Sequence, residues 1–170
     1  MSSAMLMRVK RPPVALLLWL LAGCATILPP IDQRTTHGPT AAEFWTVRMM
    51  QQTGRSPSFE EKRHFDDQMD ERIGRYLREH QEAASSTTVL SFRSLRQVTV
   101  GMDKAQVEIL LGAPLATTRD PAQMQSLARH HWPEIRDRTR PDEAWSYPFG
   151  WVVYFRNSRV ADLTQYLPRT

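Results

Sequence analysis

Cysteine is nearly absent from this chain. One stands in 170 residues, Cys24. A single thiol closes no internal disulfide, so apolar packing has to hold the fold. Long apolar runs are missing as well. Residues 14–22, VALLLWLLA, are nine long, well short of the ~20 a membrane-spanning helix needs. A strong charge of either sign is also lacking. The chain carries 22 Lys+Arg against 18 Asp+Glu. Three of the basic residues and none of the acidic ones lie in residues 1–23, so the remainder holds 19 against 18, a formal +1. Nucleic-acid binding needs a strong basic field, and no nucleic-acid partner is expected. Glycine is scarce, seven against twelve prolines, which implies several stiff loops. Catalytic signatures are absent: there is no H-E-x-x-H, no G-x-S-x-G and no Cys/His arrangement. Five histidines exist, His37, His64, His80, His130 and His131. On a helix the adjacent His130 and His131 would point about 100° apart and could not easily share a metal. No catalytic residue, cofactor or metal is expected.

The N-terminus has the order of a secretory signal. Arg8, Lys10 and Arg11 come first, then the apolar core, then Ala22 and Gly23 before Cys24. LAGC, Leu21 to Cys24, resembles the bacterial lipobox at every position. In lipoproteins with that motif the signal is cut before the cysteine, whose thiol carries lipid. The resemblance implies that Cys24 becomes the first mature residue, held in a membrane by acyl chains. One chain alone binds only marginally, at ~0.8 kcal/mol per buried CH₂, but lipoproteins of this kind carry three. Ala25, not aspartate, follows the cysteine, which by the same resemblance implies the periplasmic face of the outer membrane.

Residues 24–39, with Pro29–Pro30 and Gly38–Pro39, read as a tether. A first helix is expected over 41–52. Thr40 and Glu43 form its capping box, Gly54 stops it, and Phe44, Val47 and Met50 or Gln51 share a face with Trp45 beside it. The segment from Ser58 to Ala84 reads as a long amphipathic helix. Ser58 and Glu61 cap it, and Phe65, Met69, Ile73, Tyr76 and Leu77 form one apolar stripe. Asp66 and Asp70, four apart, could share a cation; a solvated face with Glu71–Arg75 support is the simpler reading. Residues 85–98 fit a short helix or a strand. In 98–114, VTVGMDKAQVEILLGAP, Asp103 and Gln106 box a two-turn helix that Gly112 and Pro114 end. Met102 and Val107 staple it, with Val107, Leu110 and Leu111 inward. A further helix is expected over 121–131 with Met124, Leu127 and Ala128 inward, then a loop over 132–142. Alternation around Trp145–Tyr147 and Trp151–Phe155, with Asn157–Ser158 as a two-residue turn, predicts strands to Tyr166.

GMDKAQVEILLGAP, then Trp145-x-Tyr147, then VVYFRNSRV resembles the SmpA/OmlA (BamE-like) outer-membrane lipoprotein domain family over about residues 97–166. That resemblance implies an α+β fold, short helices packed on a three-stranded antiparallel sheet, here with an additional N-terminal helical region. It departs from the family at Asp103, where Ser or Thr is usual, and in the lengths of 119–142 and 40–96. The implied organisation is a lipoprotein signal (1–23), a tether (24–39), a helical region (40–96) and the α+β domain (97–168). The implied role is a non-enzymatic interaction or scaffold module in envelope or β-barrel outer-membrane protein assembly. Its partners would be the membrane, through acylated Cys24, and envelope proteins, the β-barrel assembly machinery among them. A periplasmic ligand-binding or inhibitory domain is the alternative; a wall-active enzyme is less favoured. Aromatic residues concentrate at binding hot spots, and the candidates are Trp45, Trp132, Trp145, Phe149 and Trp151. Phe149, Gly150 and Trp151 are expected at an exposed loop tip that touches a partner. A pocket with convergent polar groups would favour a ligand binder; an apolar patch would favour an interaction module.

Overall fold

A computed structural model describes residues 30–131 and 141–168. The fold is α+β, and its longer helices follow from local rules. Strand β1 (Ile31–Thr35) leads into β2 (His37–Thr40). Helix α1 (Ala41–Thr53) follows, with Thr40 and Glu43 forming the reciprocal capping box and Gly54 closing it in a left-handed conformation. Helix α2 (Phe59–Glu79) is boxed in the same way by Ser58 and Glu61. A short turn of helix, α3 (Gln81–Ala84), leads to one wide turn at Ser91–Leu95, which Arg96 ends at a left-handed φ of 48°. Strand β3 (Gln97–Thr99) precedes α4 (Lys104–Leu111), whose cap is the expected Asp103–Gln106 box. Then come β4 (Ala116–Thr118), α5 (Pro121–Ala128), β5 (Glu143–Ser146), β6 (Trp151–Arg156) and β7 (Arg159–Leu167). The β6–β7 turn puts Asn157 and Ser158 at φ 51° and 61°, as a primed hairpin turn requires.

The main sheet has five strands in the order β1-β7-β6-β5-β4, all antiparallel; β2 and β3 make a second, two-stranded sheet. The expected sheet had three strands. Those three, β5, β6 and β7, are its centre, and β1 and β4 add an edge each. The described part of the expected tether is therefore not a tether. Ile31 to Thr35 pair with Leu167 to Leu163 and cover an edge of β7 that would otherwise present unpaired backbone. Gly38 and Pro39 are buried. A Cβ at Gly38 would stand 3.2 Å from Val98 Cβ and 3.3 Å from a Leu163 methyl, so the glycine lets β2 approach the core.

Strand alternation gives the sheet two different faces. Trp145, Val153, Phe155 and Leu163 point to one side and pack with Phe44 of α1, with Met69, Ile73 and Tyr76 of α2, and with Val107, Leu110 and Leu111 of α4. The 40–96 helices thus dock on the sheet and share its core, and they do not form a separate lobe. The α1 stripe is shorter than expected. Ala41 and Phe44 are buried, but Val47 and Met50 face solvent, because only the first turn and a half of α1 lies over the sheet and α4. Ala144, Val152 and Tyr154 point to the other side and pack under Met124 and Ala128 of α5. Helix α5 covers only the β5–β6 part of that face. Towards β7 and β1 the same face carries Asp32, Arg34, Asp162, Thr164 and Tyr166, which follow from the register Asp32↔Tyr166 and Arg34↔Thr164.

Candidate functional site

The polar ledge beside α5 is where chemically versatile groups meet. Helix α5 ends at Ala128, and Arg129 takes φ 54°, ψ −129°. A side chain is strained there. The turn throws Arg129–His131 into a single 3₁₀ turn over the edge strand. Asp32, delivered by β1, is the acceptor. His131 Nε2 donates to Asp32 Oδ1 at 2.8 Å. His130 Nδ1 lies 3.7 Å and Arg129 Nε 3.6 Å from Asp32 Oδ2. The Arg129 guanidinium sits 3.8 Å over the Tyr166 ring, a cation–π contact. The two imidazole centroids are 4.3 Å apart. One donor atom from each of Asp32, His130 and His131 falls within 4.8 Å of the others. His131 and Asp32 are mostly buried, and His130 is open to solvent. The basic side chains also suit the negative end of the α5 dipole.

This corrects the expectation for the two histidines. They do not sit on a continuous helix, because Arg129 breaks it, and their rings converge. Asp32 was missed altogether. It lies 99 residues from His131, and nothing in IDQRT marks it; only the β1–β7 register brings it there.

A second cluster is structural. Glu143 is buried and accepts from Lys104 Nζ at 2.9 Å, Arg119 Nε at 2.8 Å and Trp145 Nε1 at 2.5 Å. Burial pushes its pKa up, but these three donors outweigh burial and hold the carboxyl at about 2. The carboxylate is thereby committed to tying α4 and the β4–α5 link to β5. The Asp66–Asp70 pair also has an occupant. It is the Arg96 guanidinium, at 2.5 and 2.8 Å, and the Glu71–Arg75 support is present at 2.6 Å.

The expected aromatic surface turns out to be mostly core. Trp145 and Trp151 are buried; Trp132 lies outside the described residues. The Phe149–Gly150–Trp151 segment is not an exposed tip. Phe149 packs edge-on against Phe44, centroids 5.6 Å apart, and a Cβ at Gly150 would fall 1.7 Å from Tyr166 O. The segment is folded down because Phe149 and Gly150 both take positive φ, which turns the phenyl ring inward. Trp45 remains accessible, stacked on Phe65 at 4.6 Å in a cleft of about 370 Å³ between α1 and α2. Ala42, Val47 and Lys62 also line it. A second hollow of about 320 Å³ runs beside α5 between Leu127, Arg129, Trp151 and Tyr166. Cys24 lies outside the described residues, and among those described no helix is long and apolar enough to cross a membrane.

No family model, curated protein or solved structure matches this chain.

Proposed function

We propose that this chain is a lipid-anchored, non-enzymatic interaction module of a bacterial envelope. Acylated Cys24 would hold it at the periplasmic face of the outer membrane, where it would serve envelope or β-barrel protein assembly. The observation that carries this reading is the sequence LAGC after a short apolar core, followed at Ile31 by a strand paired into the sheet. Seven residue steps, at about 3.3–3.6 Å each, keep the start of the fold within roughly 25 Å of the anchoring residue. An anchored domain held so near a surface meets surface partners at high effective concentration. The motif likeness to the SmpA/OmlA family supports the assembly role. Solvent-facing Val47 and Met50, beside the Trp45–Phe65 stack, supply an apolar contact surface of the kind protein partners use.

Labelled palmitate supplied to cells should enter the wild type and not Cys24→Ser, and cross-linking of the acylated, tagged chain should recover envelope proteins. Equal labelling of both proteins would overturn the anchor. Unchanged recovery with Val47→Asp/Met50→Asp would overturn the α1 surface.

A further inference from the structure

We infer that Asp32, His130 and His131 form a site for a divalent transition-metal ion, of which Zn²⁺ is the representative. The inference does not depend on acylation of Cys24. It starts from donor chemistry. Two imidazoles and one carboxylate suit zinc and its neighbours, whereas calcium and magnesium want oxygen alone. Three protein ligands with the fourth position left to water is a standing arrangement for zinc.

The geometry is close to what the ion needs. Zinc–ligand distances of about 2.0–2.2 Å in a tetrahedron separate neighbouring ligand atoms by roughly 3.4 Å. The separations here are 2.8 Å from His131 Nε2 to Asp32 Oδ1 and 3.7 Å from His130 Nδ1 to Asp32 Oδ2, and one donor atom from each of the three residues lies within 4.8 Å of the other two. Shifts of about an ångström would bring all three onto one centre. His130 is 68% exposed, so its ring is free to swing and the ion has an entry path.

One group opposes the ion. Arg129 Nε stands 3.6 Å from Asp32 Oδ2 and competes for the carboxylate. Its other contact, the Tyr166 ring at 3.8 Å, keeps the guanidinium placed after Asp32 turns to a metal. Arg129 is thus a brake on affinity and not a ligand. The ion's effect follows from topology. Asp32 lies on edge strand β1, and the histidines follow α5, so a bound ion clips the edge of the sheet to the helix that covers its face.

The test is titration of the full, untagged chain in detergent with ZnCl₂, followed by calorimetry, and with Co²⁺, followed by its visible absorption. One ion per chain should bind, the cobalt spectrum should be that of a tetrahedral centre, and Zn²⁺ should raise Tm. Asp32→Asn and His130→Ala should each weaken binding by more than the roughly 10–100-fold that losing a supporting residue costs. His130→Ala removes an exposed ring, so folding is preserved even where Asp32→Asn loosens β1. Arg129→Gln should tighten binding, which a purely structural hydrogen-bond cluster does not predict. Absence of binding, or equal binding by wild type, Asp32→Asn and His130→Ala through His37, His64 or His80, would overturn the site.

Discussion

Replacing Gly150 by alanine tests whether the Phe149–Trp151 segment is packed or free. The built Cβ lies 1.7 Å from Tyr166 O, 2.5 Å from Tyr166 C and 3.2 Å from Tyr166 N. These are backbone atoms of β7, held at Tyr166 by pairing with Asp32 of β1 and one residue earlier by the Trp151–Gln165 pair with β6, so the strand gives little. The 148–150 turn has to move out instead. Three losses follow. The alanine takes a left-handed φ, here 72°, at about 1–2 kcal/mol. Phe149 leaves its edge contact with Phe44, worth about 0.5–1.5 kcal/mol. The bond that Gln165 Nε2 donates to Phe149 O at 3.2 Å is lost, worth about 0.5–1.5 kcal/mol. The expected destabilisation is about 3 kcal/mol, or roughly 6–12 °C in Tm at this chain length. Gly54 provides the control. Its φ is 71°, and a Cβ there meets nothing within 4 Å, so Gly54→Ala incurs the backbone term alone. Urea unfolding of both variants separates conformational from steric cost. Should Gly150→Ala come within about 1 kcal/mol of Gly54→Ala, below the combined contact losses, the turn is not held against β7 and the packing argument fails.

Two further outcomes follow from local chemistry. Glu143 has a depressed folded-state pKa, so its contribution is complete above the ordinary value of 4.5 and lost as pH falls towards about 2. Wild-type Tm should drop across that window, and Glu143→Gln should flatten part of the drop. The remainder belongs to other depressed carboxyls, such as Glu61, held at about 2 by hydrogen bonds from Arg55 and the Ser58 backbone; an unchanged slope in the variant would show that Glu143 is not paired as described. Ser158→Gly should stabilise by about 0.5–1 kcal/mol, because Ser158 sits at φ 61° in a turn that favours Asn-Gly: relief of a left-handed side chain, about 1–2 kcal/mol, exceeds the roughly 0.5–1 kcal/mol of extra chain entropy that glycine loses on folding; destabilisation in urea melts would refute the turn assignment.

What could be read from sequence was what neighbours decide. Thr40–Glu43, Ser58–Glu61 and Asp103–Gln106 all form the reciprocal boxes expected of them. A cap is a contact between residues three apart, and no distant partner can overrule it. The Asn157–Ser158 turn and the α2 stripe are legible for the same reason. The errors are non-local. IDQRT carries proline on one side and polar residues within, so it reads as a tether. It is a strand because β7, more than a hundred residues away, has an edge to cover. Phe149 and Trp151 read as a tip because a Pro-Phe-Gly turn is usually exposed. Two positive φ angles and the Phe44 ring turn it inward.

The metal-site residues combine both failures. Sequence spacing separates His130 from His131, whereas the break at Arg129 joins them. Asp32 is supplied only once β1 has docked. A cluster assembled from an edge strand and a helix terminus therefore exists only in the completed sheet. The β1 ladder, the Arg129–Tyr166 contact and the Asp32–His131 bond should accordingly form or be lost together.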